Sequence, residues 1–81
     1  MKDKTIAELA ALVREDWKNP YFGARTYIKA MLEIHKHDPR QVMYGDEQAV
    51  SVIKYFLANA SKWRGDIARQ VKAELKERVG L

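Results

Sequence analysis

The stretch Thr5–Pro20, TIAELAALVREDWKNP, decides the fold class. Ile6, Leu9, Val13 and Trp17 recur at spacings of three and four, with Ala10 and Leu12 beside them. That is the period of an α-helix burying one face. Thr5 stands where an N-cap is needed, and Glu8 completes a capping box. Asn19-Pro20 stops the helix, because proline disfavours helical geometry in the residue before it. The spacing therefore predicts a helix from about Ile6 to Lys18.

Working outward, the same dipeptide opens a second helix, with Asn19 as N-cap and Pro20 at the first helical position. Phe22, Ala24, Tyr27, Ile28, Met31, Leu32 and Ile34 give it a broad apolar stripe ending near His35, and Gly23 leaves room for a neighbouring backbone. Asp38-Pro39 breaks the pattern. His37–Gly45 is then the longest loop, with Val42, Met43 and Tyr44 folding back on the core. Asp46 is expected to cap a third helix. Its residues Ala49, Val50, Val52, Ile53, Tyr55, Phe56, Leu57 and Ala60 are apolar nearly all round, which predicts a central element buried by the others. After a short break at Asn59–Ser61, Ser61 caps a last helix whose stripe is Trp63, Ile67, Val71, Leu75 and Val79, and Gly80 ends it. The expected fold is all-α, a single domain over residues 1–81, arranged as a four-helix bundle around the third helix.

Composition agrees with one small globular unit. The chain has 81 residues, 47% of them apolar and 32% charged, and no cysteine, which excludes disulfides and thiolate metal sites. Stability in the usual per-residue range is about 4–12 kcal/mol. The longest apolar run, Leu9–Val13, is far short of the roughly 20 residues of a membrane span. Glu8 interrupts what would be the apolar stretch of a secretory signal, so a cytoplasmic location is expected. The net charge of +4 is mild. Residues 1–45 carry eight basic and six acidic side chains and residues 46–81 carry seven and five, so neither half is a basic tail.

The last helix has the most suggestive surface. At about 100° per residue, Lys62, Arg69, Lys72 and Lys76 fall on one strip opposite Trp63, Ile67, Val71 and Leu75. With Arg64 they form a candidate phosphate-tracking set, and the short break at residues 59–61 gives the last two helices a helix-turn-helix-like spacing. Against this, Asp66, Glu74 and Glu77 dilute the charge, Glu74 with Arg78 reads as an ordinary i,i+4 pair, and the same strip reads as a solvated face. The aromatic residues offer a second candidate. Most are spaced as core, Trp63 included, but Trp63-Arg64-Gly65 and Tyr21-Phe22 also fit exposed anchors of a protein interface. His35, His37 and Asp38 lack helical convergence, so no metal site and no cofactor is expected. No nucleophile elbow, phosphate-binding glycine loop or zinc-binding helix motif occurs, and the chain reads as a non-enzyme.

Two segments, residues 16–31 and 44–75, also carry a resemblance. Trp17-Lys18-Asn19-Pro20-Tyr21-Phe22-Gly23-Ala24, then Tyr44-Gly45, then Tyr55-Phe56-Leu57-Ala58-Asn59-Ala60-Ser61-Lys62-Trp63-Arg64-Gly65 resemble a pattern shared by small uncharacterised bacterial and phage-associated helical proteins. The likeness spans about residues 8–76, and the loop His35–Met43 is longer here than in that pattern. It implies a helical domain and a mobile-element origin, and it brings no activity or substrate. The expectation is thus a non-enzymatic interaction or regulatory module with a protein partner. Nucleic-acid binding through Lys62, Arg64, Arg69, Lys72 and Lys76 is the alternative, and a homodimer that finishes its core by self-association is a third reading.

Overall fold

Thr5 starts the first element in the way its neighbours dictate. In the computed structural model, which describes residues 1–45 and 47–81, the Thr5 hydroxyl accepts from the Glu8 N–H at 3.1 Å. The Thr5 N–H donates to the Glu8 carboxylate at 2.8 Å, and α1 runs Ile6–Asp16. It stops two residues short of the expected end because Trp17 is already extended (φ −95°, ψ 94°), which carries its ring onto that of Trp63.

α2 spans Phe22–Met31 with Tyr21 as its N-cap, so Asn19 and Pro20 precede the helix instead of starting it. The helix also ends before His35. The chain straightens there because its carbonyls are needed elsewhere. Ile34 and Lys36 accept 2.8 Å hydrogen bonds from the N–H groups of Ala7 and Ile6, two of the donors that the start of a helix leaves unpaired.

The expected long loop is partly ordered. Asp38 accepts from the Arg40 N–H at 2.9 Å and begins a 3₁₀ turn, Pro39–Gln41. β1 (Met43–Tyr44) and β2 (Glu47–Gln48) then pair antiparallel, Met43 opposite Gln48 and Tyr44 opposite Glu47. Val42 packs on the core, whereas Met43 and Tyr44 face outward. The cap expected at Asp46 lies outside the described residues. α3 is Ala49–Ala58, with Gln48 at the N-cap position.

α4 is Asp66–Arg78, which leaves residues 59–65 as a connection. It is longer than the break expected at Asn59–Ser61, and Ser61 caps nothing. Gly65 is the N-cap, at φ 112° and ψ −178°, a backbone state essentially closed to other residues.

The helices pack mainly α1 on α2, α2 on α3, α3 on α4 and α4 on α1. Each has two principal helical neighbours, so α3 is not the central element that its composition suggested. It buries Ala49, Val52, Ile53 and Phe56 on one side, while Lys54 and Ala58 are exposed and Tyr55 is half-exposed with its ring against Tyr27. One core joins the helices through Ile6, Leu9, Met31, Ile53, Phe56 and Leu75. The protein is thus mostly helical, with a two-stranded sheet added. No helix among the described residues is long and apolar enough to cross a membrane.

The Glu74–Arg78 pair proves to be a latch. Both side chains are only 10% exposed, and Arg78 Nε donates to Glu74 at 2.8 Å. Its Nη1 donates to the carbonyls of Lys4 and His37 at 2.8 Å. Its Nη2 donates to those of Met1 at 3.0 Å and Lys2 at 3.4 Å. All five guanidinium donors are therefore used, and one side chain ties the N-terminal segment and the turn after α2 to α4. Lys2 adds an exposed ion pair to Glu77, and that contact raises the Lys2 pKa.

Candidate protein-binding corner

The two sequence segments that carry the resemblance meet at one corner of the molecule. Trp17, leaving α1, stacks on Trp63 with ring centroids 6.0 Å apart and planes 9° from parallel. Phe56 from α3 meets Trp63 edge-on at 6.3 Å. The indole N–H of Trp63 donates to Asp16 at 2.8 Å, which satisfies the one polar group that a buried tryptophan must place. Trp63 is 2% exposed. Its ring is core and cannot serve as the exposed anchor proposed from Trp63-Arg64-Gly65. Gly65 is likewise explained by its own backbone: open space surrounds it, and the positive φ demands glycine.

Tyr21 and Phe22 have the opposite character. Tyr21 is 50% exposed and Phe22 85% exposed. The Tyr21 ring lies against Gly23, where an added Cβ would come within 2.7 Å of it. The glycine makes room for this side chain and not for a neighbouring backbone. The Tyr21 hydroxyl donates to the Asn59 side-chain carbonyl, whose amide donates to the Tyr55 carbonyl at 2.7 Å. Tyr21 is therefore fixed in place while one face stays open, and Phe22 beside it has no such tie. A depression of about 480 Å³ lies beside Tyr21, lined by Trp17, Asn19, Tyr21, Ser61 and Lys62.

The basic strip of the last helix is rearranged. Lys62 and Arg64 lie on the 59–65 connection, not on α4, so the helix-turn-helix-like spacing is gone. Arg69 is paired with Asp66 at 2.5 Å. Lys72 turns inward: its ammonium donates to the Trp63 carbonyl at 2.5 Å and stands 5.8 Å from the Trp63 ring. Burial lowers its pKa, and the charges of Lys76 and Arg64 push the same way. Arg64, Arg69 and Lys72 do line one shallow depression of about 230 Å³, and Lys76 is exposed.

His37 Nε2 donates to the Asp3 carbonyl at 2.7 Å, so that nitrogen is occupied, and His35 is exposed. Among the described residues no group of three or more His, Asp or Glu side chains is placed to hold a metal ion.

A second basic surface is not apparent from the sequence. Arg14, Lys18, Arg25 and Lys29 converge on a cleft between α1 and α2. The i,i+4 spacing of Arg14 with Lys18 and of Arg25 with Lys29 was visible. Their convergence was not, because it depends on how two helices pack.

Comparison with protein-family models, with curated proteins and with solved structures found no match.

Proposed function

We propose that this chain is a small non-enzymatic module, a four-helix bundle in its general plan, that binds a protein partner through the corner built by Tyr21, Phe22 and the 59–65 connection. The observation that supports it most is Phe22. A phenylalanine left 85% exposed at a helix start, beside a hydrogen-bonded tyrosine, has the character of an interface anchor. The resemblance to phage-associated proteins supports a partner supplied by the host of a mobile element.

The test is affinity capture from a bacterial lysate with wild type and Phe22→Ala, each with and without nuclease. A protein band that survives nuclease and is lost in Phe22→Ala is the expected result. Circular dichroism checks that the variant stays folded, as it should with so exposed a side chain. Equal capture by both proteins overturns the assignment to this corner.

A second reading, nucleic-acid binding, is favoured by one observation, the shared depression of Arg64, Arg69 and Lys72. It requires recovery of nucleic acid that is lost as salt rises to about 200 mM, and loss of binding in Arg64→Glu.

A further inference from the structure

The cleft between α1 and α2 has a volume of about 290 Å³. Its floor is apolar: Ile28 is buried, and Trp17 and Leu32 are partly buried. Its rim is basic. Arg14 and Lys18 come from α1 and the residues just after it, Arg25 and Lys29 from α2, and among the described residues no acidic side chain lines the cleft. All four cations are exposed, and none is in an ion pair among the described residues. Arg25 Nε donates to the Pro20 carbonyl at 2.8 Å, which holds that guanidinium at the mouth. Of the carboxylates close to these cations along the chain, Asp16 accepts from the Trp63 indole N–H at 2.8 Å and Glu33 from the Tyr44 hydroxyl at 2.7 Å, while Glu15, beside Arg14, is exposed and does not line the cleft.

Four unpaired cations around an apolar floor specify the occupant. Small-molecule pockets run from about 300 to 1,000 Å³, so this cleft sits at the lower limit and suits one or two apolar side chains better than a cofactor. A phosphate backbone would use the cations but gain nothing from Ile28 and Leu32. A helix or strand carrying apolar side chains between carboxylates uses both. We infer that the α1–α2 cleft is a docking site for an acidic amphipathic peptide segment, seated with its apolar side chains on Trp17, Ile28 and Leu32 and its carboxylates against Arg14, Lys18, Arg25 and Lys29. The inference rests on the protein-binding reading and names the chemistry of the partner. Trp17 lines both this cleft and the depression beside Tyr21, so one bound chain can span the two.

The experiment titrates the full chain into three labelled synthetic helical peptides of about 15 residues, read by fluorescence polarisation. One carries Leu at i, i+3, i+4 and i+7 with Glu elsewhere, the second replaces each Leu by Ser, and the third replaces each Glu by Lys. The Glu/Leu peptide is expected to bind at least about tenfold more tightly than either control. Lys18→Glu with Lys29→Glu should remove most of that binding, whereas Lys76→Glu on α4 should change it less than about twofold. Lys18 and Lys29 are exposed and unpaired, so the double variant should keep the wild-type circular dichroism.

Equal affinity for the Glu/Ser peptide means that charge alone binds, and it overturns the inference. So do equal affinity for the Lys/Leu peptide, indifference to the double variant, and displacement of the peptide by a DNA duplex that needs the same two lysines. If lysate capture depends on Phe22 while the Glu/Leu peptide fails to bind, the cleft assignment falls and the protein-binding reading stands. If the peptide binds while capture ignores Phe22, the corner falls and the cleft stands.

Discussion

Trp63 and Arg78 each hold together parts of the chain that are distant in sequence, and they do it with opposite chemistry. Trp63, in the connection that leads into α4, joins the end of α1 and the inner side of α3 by ring contact, and needs one hydrogen bond, to Asp16. Arg78 joins the N-terminal segment, the turn after α2 and α4 through five donated hydrogen bonds, four to backbone carbonyls and one to the Glu74 carboxylate. The first contact gains from removing apolar surface from water. The second must first strip water from a charge and is stable because every donor finds an acceptor. The two therefore differ in what breaks them: loss of volume at Trp63, and loss of a partner at Arg78.

The largest effect should come from removing volume. Trp63→Ala is expected to cost about 3–5 kcal/mol, most of the roughly 4–12 kcal/mol available. The check is whether the urea transition followed by circular dichroism collapses toward zero denaturant.

Arg78→Met should cost nearly as much, about 3–5 kcal/mol, because it strands Glu74 and four backbone carbonyls. The comparison sharpens in the double variant Arg78→Met with Glu74→Leu. That variant should recover part of the loss, since no charge is then left without a partner. If the single variant costs less than about 1 kcal/mol in urea unfolding, Arg78 is an ordinary surface pair and the contrast between the two regions fails.

Asp16→Ala tests the polar half of the Trp63 corner. It leaves a buried indole N–H without an acceptor and should cost about 1–3 kcal/mol, with Asp16→Asn costing less. Gly65→Ala forces a Cβ into a positive-φ position and should lower stability by about 1 kcal/mol or more.

The smallest effect is one of pH. Hydrogen bonds from the Arg40 side chain, then its backbone N–H, lower the Asp38 pKa from 3.8 to about 2. A carboxylate whose folded pKa lies below its unfolded value stabilises the fold above the unfolded value and loses that contribution as pH falls through the folded one. Melting temperature should therefore drop between about pH 4 and pH 2 with a part that Asp38→Asn removes. Asp38 is at the surface, so the part is small. A wild-type acid limb identical to that of Asp38→Asn would show that the turn adds nothing.

Much of this was legible in the residues. The TIAE capping box, the helical class of all four segments and the break at Asp38-Pro39 follow from local rules. The boundaries did not follow, and for a common reason. α2 ends early because Ile34 and Lys36 supply carbonyls to α1. α4 starts late because Trp63 is held by Asp16, Trp17 and Phe56, and Gly65 turns the chain. Each is a contact between segments far apart in sequence. The candidate surfaces divided in the same way. Phe22 was identified from its aromatic neighbourhood and is exposed, whereas Trp63 in an equally suggestive triplet is buried.

Nearest neighbours along the chain fix helical periodicity and the Thr5 cap, and composition alone excludes disulfides. Tertiary structure alone decided which aromatic ring faces water, which i,i+4 pair becomes a latch and which cations share a cleft. Periodicity fixes the side of a helix on which a residue lies. What stands opposite that side is set by how the helices cross, and burial, partner and charge environment all follow from that.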